Sequence, residues 1–256
     1  MRGAYIMKKT LSSIVLASAL LFGAIAPVTA NAAETTNGGS GVTNSTVHFT
    51  KPDDNTNPVD PDNPGTNTDG GNGGATVSGP LTFLYVSNSI DFGSEATPLK
   101  SQTSGTTQSI SNGSKNADGS TNSVTVTNSG FDTNKTLLSE VSDTRGTNGG
   151  WTVQVNSSAL TDSKVGALKG ATLDLDGSQA TVKNSANDTT IAKTDTSALP
   201  TDGTPGTIYS AQAGHGAGVT TMQLDPANVT LTVPTNVATG TYTGQLNWTL
   251  SDTPGK

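Results

Sequence analysis

The protein has 256 residues, with 13 Lys and Arg against 20 Asp and Glu, a formal net charge of −7 and no cysteine. An acidic chain without a basic stripe cannot neutralise phosphates, so nucleic acid and anionic membrane surfaces are poor partners. The lack of cysteine excludes disulfides, thiolate metal sites and cysteine nucleophiles. Any fold therefore depends on its apolar core.

Residues 1–32 have the pattern of a secretory signal peptide. Basic Lys8 and Lys9 precede an apolar run over 11–26, and the small-residue stretch 30–32, Ala-Asn-Ala, is a candidate cleavage site. The run is too short to predict a membrane span. We expect an exported chain, and cleavage removes three basic residues and no acid, so its charge becomes −10.

Residues 33–50 are predicted to form a polar N-terminal arm. The arm contains one candidate strand, STVHFTK, in which Val47 and Phe49 share a face and His48 points the other way. A strand this short needs a neighbouring strand, and the sequence leaves open whether it pairs within the main sheet.

Residues 51–78 are rich in Pro, Asp and Gly and are predicted to be a spacer. Pro58, Pro61 and Pro64 recur at every third residue, which aligns them along one edge of a polyproline II helix. The glycine-rich second half favours flexible chain. The segment is therefore expected to be stiff at first and loose afterwards.

From residue 79 to residue 256 the apolar residues alternate with polar ones. The alternation is clearest in LTFLYVS, NSVTVTNS, GWTVQV, ATLDLDG, NVTLTVP and TYTGQLNWTL, which are bounded by turn-forming residues. This pattern predicts an all-β domain, an antiparallel sandwich or barrel-like sheet of roughly eight to twelve strands with long polar loops. Only TNKTLLSEVSD and SSALTDSKVGALKG are candidates for a helical turn or two.

Residue types that carry catalysis are scarce. His48 and His215 are the only histidines, and neither belongs to a metal-binding or nucleophile motif. The acidic stretches PDD, DPDNP, NADGS and DLDG supply oxygen donors for calcium, but none fits a spaced calcium loop. We interpret them as solvated turns, and predict no catalytic residue, no metal site and no cofactor.

The ordered sequence blocks identify a family resemblance. VSDTRGTNGGWTVQV and YTGQLNWTLSDTP resemble the two halves of the WxL domain, a cell-surface domain of low-GC Gram-positive bacteria. The PVDP stretch, GPLTFLYVSNSIDFG, AGHGAG and NVTLTVPTNVATG are similar to the family's pattern in the same order, over about residues 44–254. Val153 stands where the second motif has Leu250, and both residues are aliphatic.

The resemblance implies a non-catalytic protein that attaches non-covalently to the cell wall, with peptidoglycan as its ligand. It also implies a membrane-anchored partner protein in a surface complex. We expect the chain at the cell surface or wall and in part secreted. A secreted adhesin that binds host matrix or a partner surface protein is the alternative, and an enzyme acting on wall glycan comes third.

The two tryptophans have two competing roles. As ligand-facing residues, their rings would stack on sugars while neighbouring amides supply hydrogen bonds. As packing residues, they would fill a thin core. The alternation of side chains along a strand favours this second role, because each Trp shares a strand face with aliphatic neighbours. The candidate site residues are the motif residues Trp151, Thr152, Val153, Trp248, Thr249 and Leu250, with Gln154 and Asn247 as secondary candidates.

Overall fold

The computed structural model describes residues 42–94, 107–115, 119–235 and 237–256. The predicted signal peptide at 1–32 lies outside these residues. The chain divides into two compact units, residues 1–49 and 50–256. In the described part of the first unit, residues 42–49 form no strand and are exposed. The predicted STVHFTK strand is therefore wrong: no described residue pairs with it, and an unpaired strand has no partner for its backbone hydrogen bonds.

The second unit is built almost entirely of β-strands. It also has two short 3-10 helices, Gly177–Gln179 and Pro226–Asn228. In the described residues the strands are β1 (Val59–Asp60), β2 (Asn63–Asn67), β3 (Leu81–Val86), β4 (Ser89–Asp91), β5 (Thr107–Ser111), β6 (Thr125–Thr127), β7 (Leu137–Asp143), β8 (Trp151–Ser157), β9 (Thr161–Asp162), β10 (Gly166–Ala167), β11 (Thr172–Asp176), β12 (Thr181–Asn184), β13 (Ala192–Lys193), β14 (Asp195–Pro200), β15 (Pro205–Ala211), β16 (Gly218–Leu224), β17 (Val229–Pro234) and β18 (Leu246–Ser251).

These strands form three four-stranded sheets, ordered β14-β11-β17-β5, β12-β16-β7-β3 and β13-β15-β8-β18, and three two-stranded pairs. All paired strands are antiparallel. The predicted all-β antiparallel architecture is confirmed, and it is a sandwich of packed sheets. The strands in the described residues number eighteen, more than predicted, because several are only two or three residues long.

Both candidate helical segments are strands. TNKTLLSEVSD contains β7, which pairs with β16 on one side and β3 on the other. SSALTDSKVGALKG contains the β9–β10 hairpin. Long-range pairing on both sides of β7 outweighs the weak helical propensity of its residues. No helix among the described residues has the length and apolar character needed to cross a membrane.

The core follows the alternation of the sequence. In β8 and β17 every second residue is buried, and β11 follows the same rule. The largest hydrophobic cluster includes Trp151, Val153, Val155 and Tyr209 together with residues of all three large sheets. Each fully buried Val or Leu side chain contributes about 1.5–3 kcal/mol of transfer free energy, so this cluster holds the sheets together.

Every residue of β7 is buried because the outer face of its sheet is also covered. Residues 58–67, here named the strap, lie on that face, with Val59 1% exposed and packed against Leu84 and Val219. The Thr221 hydroxyl donates to the Pro61 carbonyl at 2.9 Å, and Lys183 pairs with Asp62 at 2.7 Å.

The strap corrects the prediction of a spacer over 51–78. These residues belong to the same compact unit as the main domain, and the strap includes the hairpin β1–β2. Pro58, Pro61 and Pro64 are all buried. The predicted alignment of the three prolines along one polyproline II edge is therefore wrong. The chain reverses direction between Asp60 and Asn63, and the buried proline rings stabilise a hairpin that packs on the sheet.

Candidate functional site

The two tryptophan motifs lie side by side on neighbouring strands. β18 pairs antiparallel with β8, so that Trp248 lies opposite Val155, Thr249 opposite Gln154 and Leu250 opposite Val153. The two motif strands are therefore neighbours in one sheet. The pairing brings together residues that are more than ninety positions apart in the chain.

Trp151 is a packing residue in this structure. Its ring is 0% exposed and meets Tyr209 edge-to-face, with ring centroids 5.4 Å apart. Its indole Nε1–H donates to the Gly216 carbonyl at 2.9 Å, so the AGHGAG segment closes over the ring. Gly216 has φ of +79°, and an added Cβ would lie 2.5 Å from Nε1, so this close approach requires glycine.

Trp248 has a different environment. It is partly buried, packs against the main core cluster, and meets Phe83 of β3 edge-to-face at 6.4 Å between ring centroids. Part of its surface lines an open groove. A purely structural role through burial thus agrees with the environment of Trp151. It agrees only in part with the environment of Trp248, which is partly exposed.

The opposite side of the motif strands is polar and uncharged. Thr152, Gln154 and Asn156 of β8 lie beside Asn247 and Thr249 of β18, and these five residues are named the motif face. Asn247 and Thr249 are exposed, and the other three are partly exposed. The Asn247 amide donates to Asn156 Oδ1 at 3.0 Å, which leaves the remaining amide groups of this pair available to a ligand.

Four of the five residues of the motif face are candidates from the sequence, and Asn156 is the one that was missed. Its signal was available, since Asn156 has the same strand parity as Thr152 and Gln154. Val153 is buried and Leu250 partly buried on the inner side, so these two motif positions pack the core.

Comparison with known families decides the identity of the chain. A family model described as "WxL domain surface cell wall-binding" matches residues 35–254. The chain belongs to the WxL family. It is therefore a cell wall-binding surface protein. Comparisons with curated proteins and with solved structures found no match.

A groove of about 1150 Å³ opens beside the second motif of this WxL domain. Phe83, Ile90, Ile110, Leu246 and Trp248 are among the residues that line it, and it is named the Trp248 groove. Phe83, Ile90, Leu246 and Trp248 are partly buried and pack against the main core cluster. The lining of the groove is polar and apolar in about equal parts, and the groove lies on the other side of the sheet from the motif face.

Glu140 is an unusual group under the strap of the WxL domain. It is 0% exposed, and its Oε2 accepts the Val59 amide at 2.9 Å, while no described group hydrogen-bonds to its Oε1. Burial raises the pKa of Glu140 to about 8, against the lowering effect of the Val59 amide, and the charge of Asp60 raises the pKa further. The carboxyl group is therefore largely protonated at neutral pH. It was missed from the sequence because the strap was expected to be a free spacer.

His215 lies on the loop that covers Trp151. Its Nδ1 is 3.3 Å from Asp188 Oδ2 and 2.7 Å from the Thr190 hydroxyl. Burial alone would raise the pKa of Asp188, but hydrogen bonds from Thr190 and from the Gly216 amide lower it to about 2. Asp188 is thus ionised and ties the Gly216 loop to the chain around Thr190, which is a structural role. His48 lies in the exposed arm.

Acidic groups in the described ranges do not assemble into a metal site. No set of three His, Cys, Asp or Glu residues there is arranged to hold a metal ion. Asp162 shows what such residues do instead: its carboxylate accepts the amides of Lys164, Val165 and Thr241. NADGS lies partly outside the described residues.

Proposed function

We propose that this protein attaches non-covalently to the peptidoglycan of a Gram-positive cell wall through the motif face. The observation that carries the proposal is the side-by-side array of amides and hydroxyls on β8 and β18, which have no charged residue. Neutral amide and hydroxyl groups donate to and accept from sugar hydroxyls and acetamido groups alike. The five side chains follow two paired strands and are exposed or partly exposed, which suits an extended glycan strand better than a small molecule.

The negative net charge of the chain favours attachment through uncharged groups. A chain with a pI near 4.6 is repelled by an anionic wall at neutral pH, so attachment must rely on hydrogen bonds and packing. We expect retention on the wall to strengthen as the pH falls towards the pI, and to survive washing with concentrated salt.

The test is retention on purified peptidoglycan that has been stripped of proteins. Gln154→Ala and Thr249→Ala each remove a side chain from the motif face, and Thr181→Ala removes an exposed side chain from β12 as a matched control. A lost hydrogen bond of about 0.5–1.5 kcal/mol weakens binding roughly 2- to 10-fold. We expect this loss for both motif-face variants and not for Thr181→Ala, with unchanged melting temperatures.

Two results would overturn the proposal. Equal retention of all three variants and the unchanged protein would place the binding surface elsewhere. No retention on stripped peptidoglycan, together with retention on intact walls, would make a wall protein the ligand. The membrane-anchored partner protein belongs to the proposal through the family resemblance alone, and the second result would favour it.

A further inference from the structure

The Trp248 groove lies beside a strand edge that has no partner among the described residues. β18 is an edge strand of its sheet, and within the described part of the chain it pairs only with β8. In an antiparallel pair, alternate residues direct their backbone N–H and C=O groups away from the partner strand. β18 therefore presents unpaired backbone groups along its outer edge, next to the apolar side chains of Trp248 and Leu246. Such edges accept an additional strand.

The volume of the groove matches a short strand. Strands rise about 3.3 Å per residue, lie about 4.8 Å from their neighbours and pack in sheets about 10 Å apart, which gives roughly 160 Å³ per residue. A groove of about 1150 Å³ thus holds about seven residues of extended chain. An occupant with apolar side chains at alternate positions would direct them onto Phe83 and Trp248 while its backbone paired with β18.

The arm of the same chain has this pattern. Val47 and Phe49 are 66% and 89% exposed, they alternate with Thr46 and His48, and residues 42–49 form no strand. Exposed large apolar residues of soluble chains mark interaction sites when they occur together. Among the described residues, the chain thus carries both an unpaired segment of strand-like sequence and a groove with apolar side chains beside an unpaired strand edge.

We propose that residues 45–49 of one molecule add as a strand to the edge of β18 in a second molecule, with Val47 and Phe49 in its Trp248 groove. The two surfaces differ, so the contact is heterologous, and repetition generates head-to-tail chains of molecules. Such chains would multiply the number of motif faces at the wall and raise avidity without new contacts to the ligand.

The first test measures oligomeric state by light scattering as a function of protein concentration. The unchanged exported chain is expected to associate as its concentration rises. Val47→Asp and Phe49→Asp should remain monomeric, because a carboxylate packed against Phe83 and Trp248 would lose its hydration without gaining a charged partner. Thr46→Asp is the matched control, since its side chain points away from the groove, and should associate like the unchanged chain.

The second test uses the absence of native cysteine. A Phe49→Cys chain is mixed with an Ile90→Cys or a Leu246→Cys chain, so that a disulfide between the two can form only between separate molecules. We expect mixed disulfide dimers with both groove variants, and none with Val165→Cys, which places the thiol at an exposed hairpin position.

Three results would overturn the inference: a monomeric chain at every concentration, association that persists in Phe49→Asp, or mixed disulfides no more frequent than with Val165→Cys. Persistent association would mean that another segment or another surface joins the molecules. Retention on peptidoglycan is measured in parallel. Retention depends on the motif face, so the Phe49→Asp chain should still bind peptidoglycan. Failure of this inference can therefore be distinguished from failure of the wall-binding proposal on which its avidity argument rests.

Discussion

Replacement of Glu140 by glutamine should abolish most of the pH dependence of stability between about pH 4.5 and about pH 8. The Glu140 pKa is raised from 4.5 to about 8 in the folded protein. The folded state therefore holds a proton over this window that the unfolded state has released. Stability from this group is full below the unfolded pKa, and it is lost as the pH rises through the folded pKa.

The magnitude follows from the size of the pKa difference. Each unit corresponds to about 1.4 kcal/mol, so the free energy of unfolding should fall by on the order of 3–5 kcal/mol across the window. The introduced glutamine would be neutral at every pH and could accept the Val59 amide through its side-chain carbonyl. Its amide N–H groups would lack partners, which costs about 1–3 kcal/mol at acid pH. The Glu140→Gln chain should thus be less stable than the unchanged chain in acid and more stable above neutral pH.

The assay is urea unfolding, followed by tryptophan fluorescence at a series of pH values. Asp62→Asn is the control on the same strap, because Lys183 holds the pKa of Asp62 below its usual value and this group titrates below the window. That variant should keep the pH dependence of the unchanged chain. A flat profile for the unchanged chain, or the same slope in Glu140→Gln, would refute the assignment of a protonated carboxyl under the strap.

The remaining predictions concern the tryptophans and the Gly216 loop. Trp151→Ala should lower the free energy of unfolding by about 3–5 kcal/mol, as expected for a fully buried ring. Trp248→Ala should lower it by clearly less, because part of this residue is exposed. Thermal melts compare the two variants, and equal losses of stability would contradict the difference in burial. Asp188→Asn should destabilise the chain at neutral pH and have little effect below about pH 2. The pKa of Asp188 is lowered to about 2, so the stability that its carboxylate gives to the folded chain is lost as the pH falls through that value. Unfolding at neutral and acid pH checks this, and an unchanged midpoint at neutral pH would refute it.

The alternation of residues was sufficient to predict the fold class and the inner face of the motif strands. Trp151, Val153 and Val155 are buried as their parity indicates, because each strand of the sandwich has one side in the core. The sequence alone could not show that Trp151 is buried more completely than Trp248, because both have apolar neighbours. Only the position of a strand within its sheet decides how much of a ring is covered.

The strap and Glu140 were beyond prediction for a related reason. Pro58, Pro61 and Pro64 have a spacing typical of an extended chain, but nothing local shows that the chain turns back at residues 61–62 and packs on a sheet. Glu140 lies on a strand that would have one polar face if the strap were absent. A carboxylate at such a position is normally solvated, so its burial depends on a segment about eighty residues earlier in the chain.

The position of β8 in its sheet has a consequence for how the chain folds. Both neighbours of β8, β15 and β18, come later in the sequence, and the last of the three ends at residue 251. Pairings between such distant segments form slowly, and until they form, β8 keeps both edges open and its row of Trp and Val side chains uncovered. A chain that collapsed while residues 246–251 were still missing would be prone to aggregation, so folding should be a cooperative event that requires β18.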